Sequence, residues 1–301
     1  ALAAEGEPFL RSLQFSALSR PTVVATIALQ GDPEGIAVDN QTVWVAEYSN
    51  NSVVRIDPKT NAVAKRFAVG FRPVGLAVGE GSVWVASNWA DEVWTIDLKA
   101  DEVKGPAIRV GRGPLNVAVG SGSVWVTNSG SGTVSRIDAK TRTVVATIPV
   151  GAEPIGIAAS PTGVWVTGFR DSRVWRIDPR TNRVASPPIP VEKGPTTVIA
   201  GPLGIWIASQ PANLTRIEEI RNTVATTTAV GKSASGVAAV GRQIWVTDHL
   251  SGVVWRVDAA TQKVIEPSIP VGNRPLRLVM GGGAVWVSNG GSGTLSRISG
   301  F

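Results

Sequence analysis

The chain has a single histidine, His249, and no cysteine. Thiolate chemistry, disulfides and Cys-based metal sites are therefore excluded, and there is no histidine cluster to hold a transition metal. General acid–base work near neutral pH would rest on His249 with nearby carboxylates. Four oxygen-bearing residues, Glu34, Glu47, Asn88 and Asp248, are of the kind that ligate Ca²⁺ or Mg²⁺. They come from distant parts of the chain, so spacing alone does not bring them together. No Gly-rich phosphate loop opens a helix; runs such as Gly281-Gly282-Gly283 read as hairpin turns. No metal and no cofactor are assigned.

The elements that must position these groups follow from a repeat. A β-branched residue, Trp and another β-branched residue recur at Val43-Trp44-Val45, Val83-Trp84-Val85, Val124-Trp125-Val126 and Val164-Trp165-Val166. They return at Ile205-Trp206-Ile207, Ile244-Trp245-Val246 and Val285-Trp286-Val287. Successive tryptophans are 40, 41, 40, 41, 39 and 41 residues apart. Seven copies at that period indicate propeller blades. Each repeat divides into four strands, A to D. Strand A follows a Gly-x-x-Pro turn, as at Gly70-Phe71-Arg72-Pro73. Strand B carries the Trp, strand C ends in Arg-Ile-Asp, and a turn such as Asp57-Pro58-Lys59-Thr60 leads into a β-branched strand D. The composition agrees: 43% apolar, 17% charged, 33 Gly and 20 Pro suit many short strands and tight turns.

The last repeat stops at Ser299-Gly300-Phe301, after strand C. Its missing strand lies at the other end of the chain, where Pro21-Thr22-Val23-Val24-Ala25-Thr26-Ile27 copies the strand-D text Thr143 to Ile148. The expectation is an all-β, seven-bladed β-propeller over residues 21–301, with four-stranded blades and the N-terminal strand completing the last one. That arrangement leaves no open seam. Residues 1–20 fall outside the repeat, and we read them as an N-terminal extension or linker.

The phrases Pro-x-Gly-Ile-Ala-Val, x-Val-Trp-Val-Ala, Arg-Ile-Asp-Pro-Lys-Thr and Val-Ala-Thr-Ile-Pro-Val-Gly resemble the YVTN or YncE-like bacterial propellers. The chain is also similar to the streptogramin B lyase-like propellers. The resemblance covers about residues 21–301 and rests on blade scaffolding, so it speaks to fold more than function. The wider group includes lyases, extracytoplasmic binding proteins and sensor domains. The lyase branch places its catalytic histidines directly after the Pro of the D–A turn. Here those seven positions are Glu34, Val74, Leu115, Ile155, Thr196, Ser235 and Leu276. None is His, and His249 lies in a different loop.

Residues present in nearly every blade serve the blade; departures from the repeat are the site candidates. The seven strand-B tryptophans and the recurring Arg of Arg-Ile-Asp are scaffold by that rule. So are Trp94, Trp175 and Trp255, which recur in every second blade. The D–A and B–C loops should share one face around the central channel. The binding candidates there are Glu34, Glu47, Tyr48, Phe71, Arg72, Trp89, Arg112, Asn116, Phe169, Arg170, Asp248, His249, Arg274 and Arg277. Tyr48, Phe71 and Trp89 are aromatics outside the repeat positions, which points to binding. Arg277 replaces the Gly found at positions 35, 75, 156 and 236. An arginine beside the channel needs an acid or a ligand, and Glu34 of the adjoining blade is its natural partner.

The net charge of +6 is scattered over outer strands rather than gathered in a track, which argues against nucleic acid. The reading is a non-enzymatic ligand- or protein-binding propeller of sensor type acting outside the cytoplasm, expected to be a monomer. Its partner is an unknown small ligand or protein at the loop face. A tether to a membrane through a segment N-terminal to this chain fits that setting. The alternatives are a streptogramin lyase-like or hydrolase-like enzyme that uses His249 at the channel mouth, and a purely structural interaction platform.

Overall fold

β-Branched residues bounded by Gly, Pro and Asp turns leave the chain little choice but short strands. The computed structural model describes residues 20–39, 42–185 and 187–301. These form seven antiparallel sheets arranged as the blades of a propeller. In each blade strand A is innermost and strand D outermost. Blade 3 shows the pattern: Pro114–Gly120, Ser123–Asn128, Thr133–Asp138 and Thr143–Pro149. In blade 4 the outer strand is broken into Arg183–Val184 and Ile189–Pro190. The inner strands of consecutive blades touch all the way round. The extension expected over residues 1–20 lies, but for Arg20, outside the described residues.

The ring closes as the sequence anticipates. Thr22–Ala28 pairs antiparallel with Thr294–Ser299, adding the fourth strand to blade 7. Ile27 is buried there, in a core shared by blades 7 and 1.

The seven repeat tryptophans are at most 2% exposed. Each packs against the following blade; Trp125, for example, lies with Ile157, Val164 and Val166 of blade 4. A flat ring fills the wedge between sheets while its N–H must still find an acceptor. That acceptor lies at or beside the A–B turn: the carbonyl oxygen of Gly79, Gly120, Pro202 or Gly281, or a side-chain oxygen of Asp39, Ser160 or Gln243.

Four strand-C arginines, Arg55, Arg136, Arg176 and Arg297, lie over these rings and reach across to the next blade; Arg216 and Arg256 instead donate to carbonyls of their own blades. Arg136 stacks on Trp125 at 5.0 Å and donates to Pro179 O (2.6 Å) and Asn182 Oδ1 (2.8 Å). Arg176 does the same with Trp165, Glu219 O and Asn222. Arg297 repeats it across the seam with Trp286, Pro58 O and Asn61. Arg55 instead meets Asp101. In blade 2 the arginine position holds a buried Thr95, and the latch is reversed. Arg142, at the turn position of blade 3, donates back to the carbonyls of Lys104, Gly105 and Pro106. These arginines are blade-to-blade fasteners, as expected of a scaffold residue.

Candidate functional site

At the top of every A strand the register slips immediately after the turn Pro, or after Ala234 in blade 6. Such a bulge leaves one residue without a cross-strand partner and turns the chain end locally. The residues directly after that point are Glu34, Val74, Leu115, Ile155, Thr196, Ser235 and Leu276. These positions lie around the channel mouth; Glu34, Val74 and Leu115 line one cavity of about 390 Å³ together with Asp32, Tyr48, Asn88 and Arg274.

The next residue of the strand is Gly in blades 1, 2, 4 and 6 because the inner strands crowd one another. A Cβ on Gly35 would lie 2.0 Å from Val74 O, and one on Gly236 2.5 Å from Leu276 O. Where Gly is absent, the side chain bridges the gap. Asn116 donates Nδ2–H to Ile155 O (2.9 Å), and Thr197 donates Oγ1–H to Ser235 O (2.7 Å). Asn116 is thus occupied by the scaffold.

Arg277 is the third such departure. It is half-buried on the innermost strand of blade 7. Burial lowers its pKa, and the Glu34 carboxylate partly offsets this. Burial likewise pushes the Glu34 carboxyl above its usual range, against the pull of Arg277 and Arg274. The expected pairing is therefore one of charge at a distance; the two side chains form no direct ion pair among the described salt bridges. Arg277 donates its backbone N–H to Ser288 Oγ, and Ser288 Oγ–H donates to Glu34 O at 2.8 Å, which ties blade 7 to blade 1.

Four sequence candidates come together beside the mouth. The Arg72 guanidinium carbon lies 4.2 Å from the Trp89 ring centroid, 5.1 Å from Tyr48 and 5.7 Å from Phe71. One Arg72 nitrogen donates to Tyr48 Oη at 3.1 Å. Trp89 is 63% and Phe71 50% exposed. The cation holds three rings from three loops in place, and two of them face solvent.

Glu47 and Asp248 require correction. Both end a B strand, fully buried beneath the D–A loop, with no surface open to the channel mouth. Burial alone would raise the Glu47 carboxyl. Hydrogen bonds from Arg66, Ser52, the Gln30 amide and Asn50 outweigh that and hold it at about 2. Asp248 accepts from the amides of Lys232, Ser233 and Ser251. Blades 3 and 7 put Asn128 and Asn289 at the same place, each bonded to its own strand-C Ser and Thr. The position is a loop anchor whose identity varies by blade, which makes it look like a departure in sequence. The oxygen set Glu34, Glu47, Asn88 and Asp248 is accordingly not assembled; among the described residues no group of three or more His, Asp or Glu could hold a metal.

The remaining candidates spread around the face. Arg112 lies on the blade 3 loop and donates to Gly130 O. Arg170 is exposed and pairs with Glu153. Phe169, Arg170 and His249 line a second cleft, of about 660 Å³, across the loops of blades 4, 5 and 6. That cleft also uses Pro211 and Leu250, which sequence reasoning left out. Leu250 is 69% exposed in a four-residue turn, a signal that composition could have raised.

Fold and face together define a seven-bladed β-propeller whose departures from the repeat gather at the loop end of the channel. No family model matches the sequence, and no curated protein matches it. Among solved structures, the chain is similar to hydrazine synthase of Kuenenia stuttgartiensis, with a TM-score of 0.79 and 18% identity over 89% of this chain and 95% of that one. It is similar also to virginiamycin B lyase from Staphylococcus aureus, at 0.80 and 16% over 93% and 99%. A catalytically inactive form of that lyase with quinupristin gives 0.82 and 16%, over 93% and 99%. At these identities the likeness is one of fold. The structural neighbours include streptogramin B lyase-like propellers.

Proposed function

We propose that this chain is a non-enzymatic binding propeller of sensor type, acting outside the cytoplasm, that holds a ligand or protein partner over its loop face. The observation that carries the reading is the Arg72 cluster. Exposed aromatic rings are costly to leave in water, and here Phe71 and Trp89 are held open by a cation rather than folded under a loop. Such rigid aromatic surface at a point where loops converge is what recognition uses. The extracytoplasmic setting draws on the resemblance of the repeats to YncE-like propellers.

Catalysis of the lyase kind is disfavoured by the residues at the mouth. The bulge positions hold one carboxyl, Glu34, among Val, Leu, Ile, Thr and Ser, and the histidines that the lyase pattern places there are absent. His249 sits across the face in the blade 4–6 cleft.

The test is a thermal-shift screen of small molecules, with pull-down of extracellular proteins, run on the wild type and on Phe71→Ala/Trp89→Ala. Binders of the wild type that are lost in the double variant support the reading. A loop face that binds nothing, or turnover of a substrate that disappears in His249→Ala, overturns it; binding that is equal in both proteins places the ligand away from the Arg72 cluster.

A further inference from the structure

The cleft across blades 4, 5 and 6 has a chemistry of its own. Its apolar lining comes from Phe169, Pro211 and Leu250. Two ammonium groups, Lys193 and Lys232, stand at its edge. Among the described residues neither makes an ion pair, whereas the neighbouring Arg170 is neutralised by Glu153. The acids nearest in sequence are differently placed. Asp248 is buried beneath the loop and bonded to amides, Asp171 faces the Ala152 amide, and Glu192 is an exposed residue next to Lys193. His249 adds a ring whose Nδ1 is buried without a hydrogen-bond partner.

Volume and lining bear on the occupant. About 660 Å³ falls within the range of small-molecule sites, which are mostly apolar with a few polar groups that set orientation. A purely apolar ligand would leave the two lysines unused. A purely ionic one would leave Phe169 and Leu250 in water. The two lysines come from successive D–A loops and line the same cleft.

We propose that this cleft is a binding site for a small organic carboxylate that carries an aromatic or branched aliphatic body. The body packs on Phe169, Pro211 and Leu250, and the carboxylate lies between Lys193 and Lys232. This rests on the binding reading of the loop face given above and names its ligand class, at a place distinct from the Arg72 cluster.

The experiment uses 4-phenylbutyrate, its primary amide and 4-phenylbutylamine as probes, followed by titration calorimetry and by amide chemical shifts in the whole chain. The expected result is that the carboxylate binds best and shifts the Gly194 and Leu250 signals. Lys193→Gln/Lys232→Gln should weaken it about tenfold, or about 1.4 kcal/mol, and leave the amide unchanged. Leu250→Ala should weaken carboxylate and amide alike. All three residues are exposed, so these variants keep the fold, which circular dichroism checks. Equal binding of acid and amide, no shift at the cleft, or binding of acidic peptides in place of phenylbutyrate each overturns the proposal. A ligand that depends on Trp89 and not on the lysines overturns it too, while leaving the wider binding reading intact.

Discussion

Arg297 Nη1 lies 2.9 Å from Asn61 Oδ1, although 236 residues separate them. The same nitrogen donates to Pro58 O at 2.7 Å, and the guanidinium stacks on Trp286 at 5.3 Å. The contact fastens the last blade to the first. It repeats, atom for atom, the Arg136–Asn182 latch between blades 3 and 4. The seam is therefore joined by the same device as the continuous parts of the ring.

A charge-assisted, partly buried hydrogen bond contributes about 1.5–3 kcal/mol. We expect Arg297→Ala to cost about 2 kcal/mol and Asn61→Ala about 1 kcal/mol, because Pro58 O remains to Arg297 in the latter. Urea unfolding of the two single variants and the double should show coupling of roughly 0.5–1 kcal/mol. Strict additivity would mean the latch adds nothing.

Removal of residues 20–29 strips strand D from blade 7 and uncovers the Thr294–Ser299 edge. It also opens the core around Ile27. Loss of a buried Ile and a ladder of backbone bonds should cost on the order of 5 kcal/mol. A calorimetric melt should show a sharply lower midpoint, and a peptide of residues 20–29 added in excess should restore part of it. An unchanged midpoint refutes closure by this strand.

Arg142 stands in for the arginine that blade 2 lacks. It satisfies three carbonyls at 2.7–3.0 Å from two nitrogens of a planar, five-donor fork, a spread that the single nitrogen of a lysine does not match. Arg142→Ala should cost about 2 kcal/mol and Arg142→Lys should recover less than half of it, read from denaturation midpoints.

Glu47 sets an acid limit. Its folded pKa of about 2 lies below the ordinary 4.5. A depressed carboxyl contributes stability that is complete above its unfolded pKa and is lost as pH falls through the folded one. Wild-type stability should drop between about pH 4.5 and 2 by on the order of 3 kcal/mol more than that of Glu47→Gln. Unfolding curves for both proteins at pH 7, 4 and 2.5 make the comparison. Parallel profiles would show that the carboxylate is not held as described.

The blade count and the seam were legible because both depend on local pattern. A Trp between β-branched residues every 39–41 positions, and a strand-D text displaced to residues 21–27, need no knowledge of distant contacts. Part of the candidate site was legible for the same reason: the aromatics Tyr48, Phe71 and Trp89 stood out as exceptions to the repeat. Glu47 and Asp248 stood out equally and proved to be anchors, since a one-letter departure does not say whether a side chain turns under its loop or away from it. Pro211 and Leu250 escaped notice because single apolar residues in turns are common.

The sequence by itself determined a seven-fold repeat, its strands and its closure, since strand patterning and turn chemistry act over a few residues. Only the tertiary structure decided which exceptions meet. The Arg72 stack joins three loops from two blades, the Lys193–Lys232 cleft spans three blades, and Glu34 feels Arg277 across the seam. Those encounters depend on the curvature of the ring, which arises from how whole sheets pack on their tryptophans and not from any one strand.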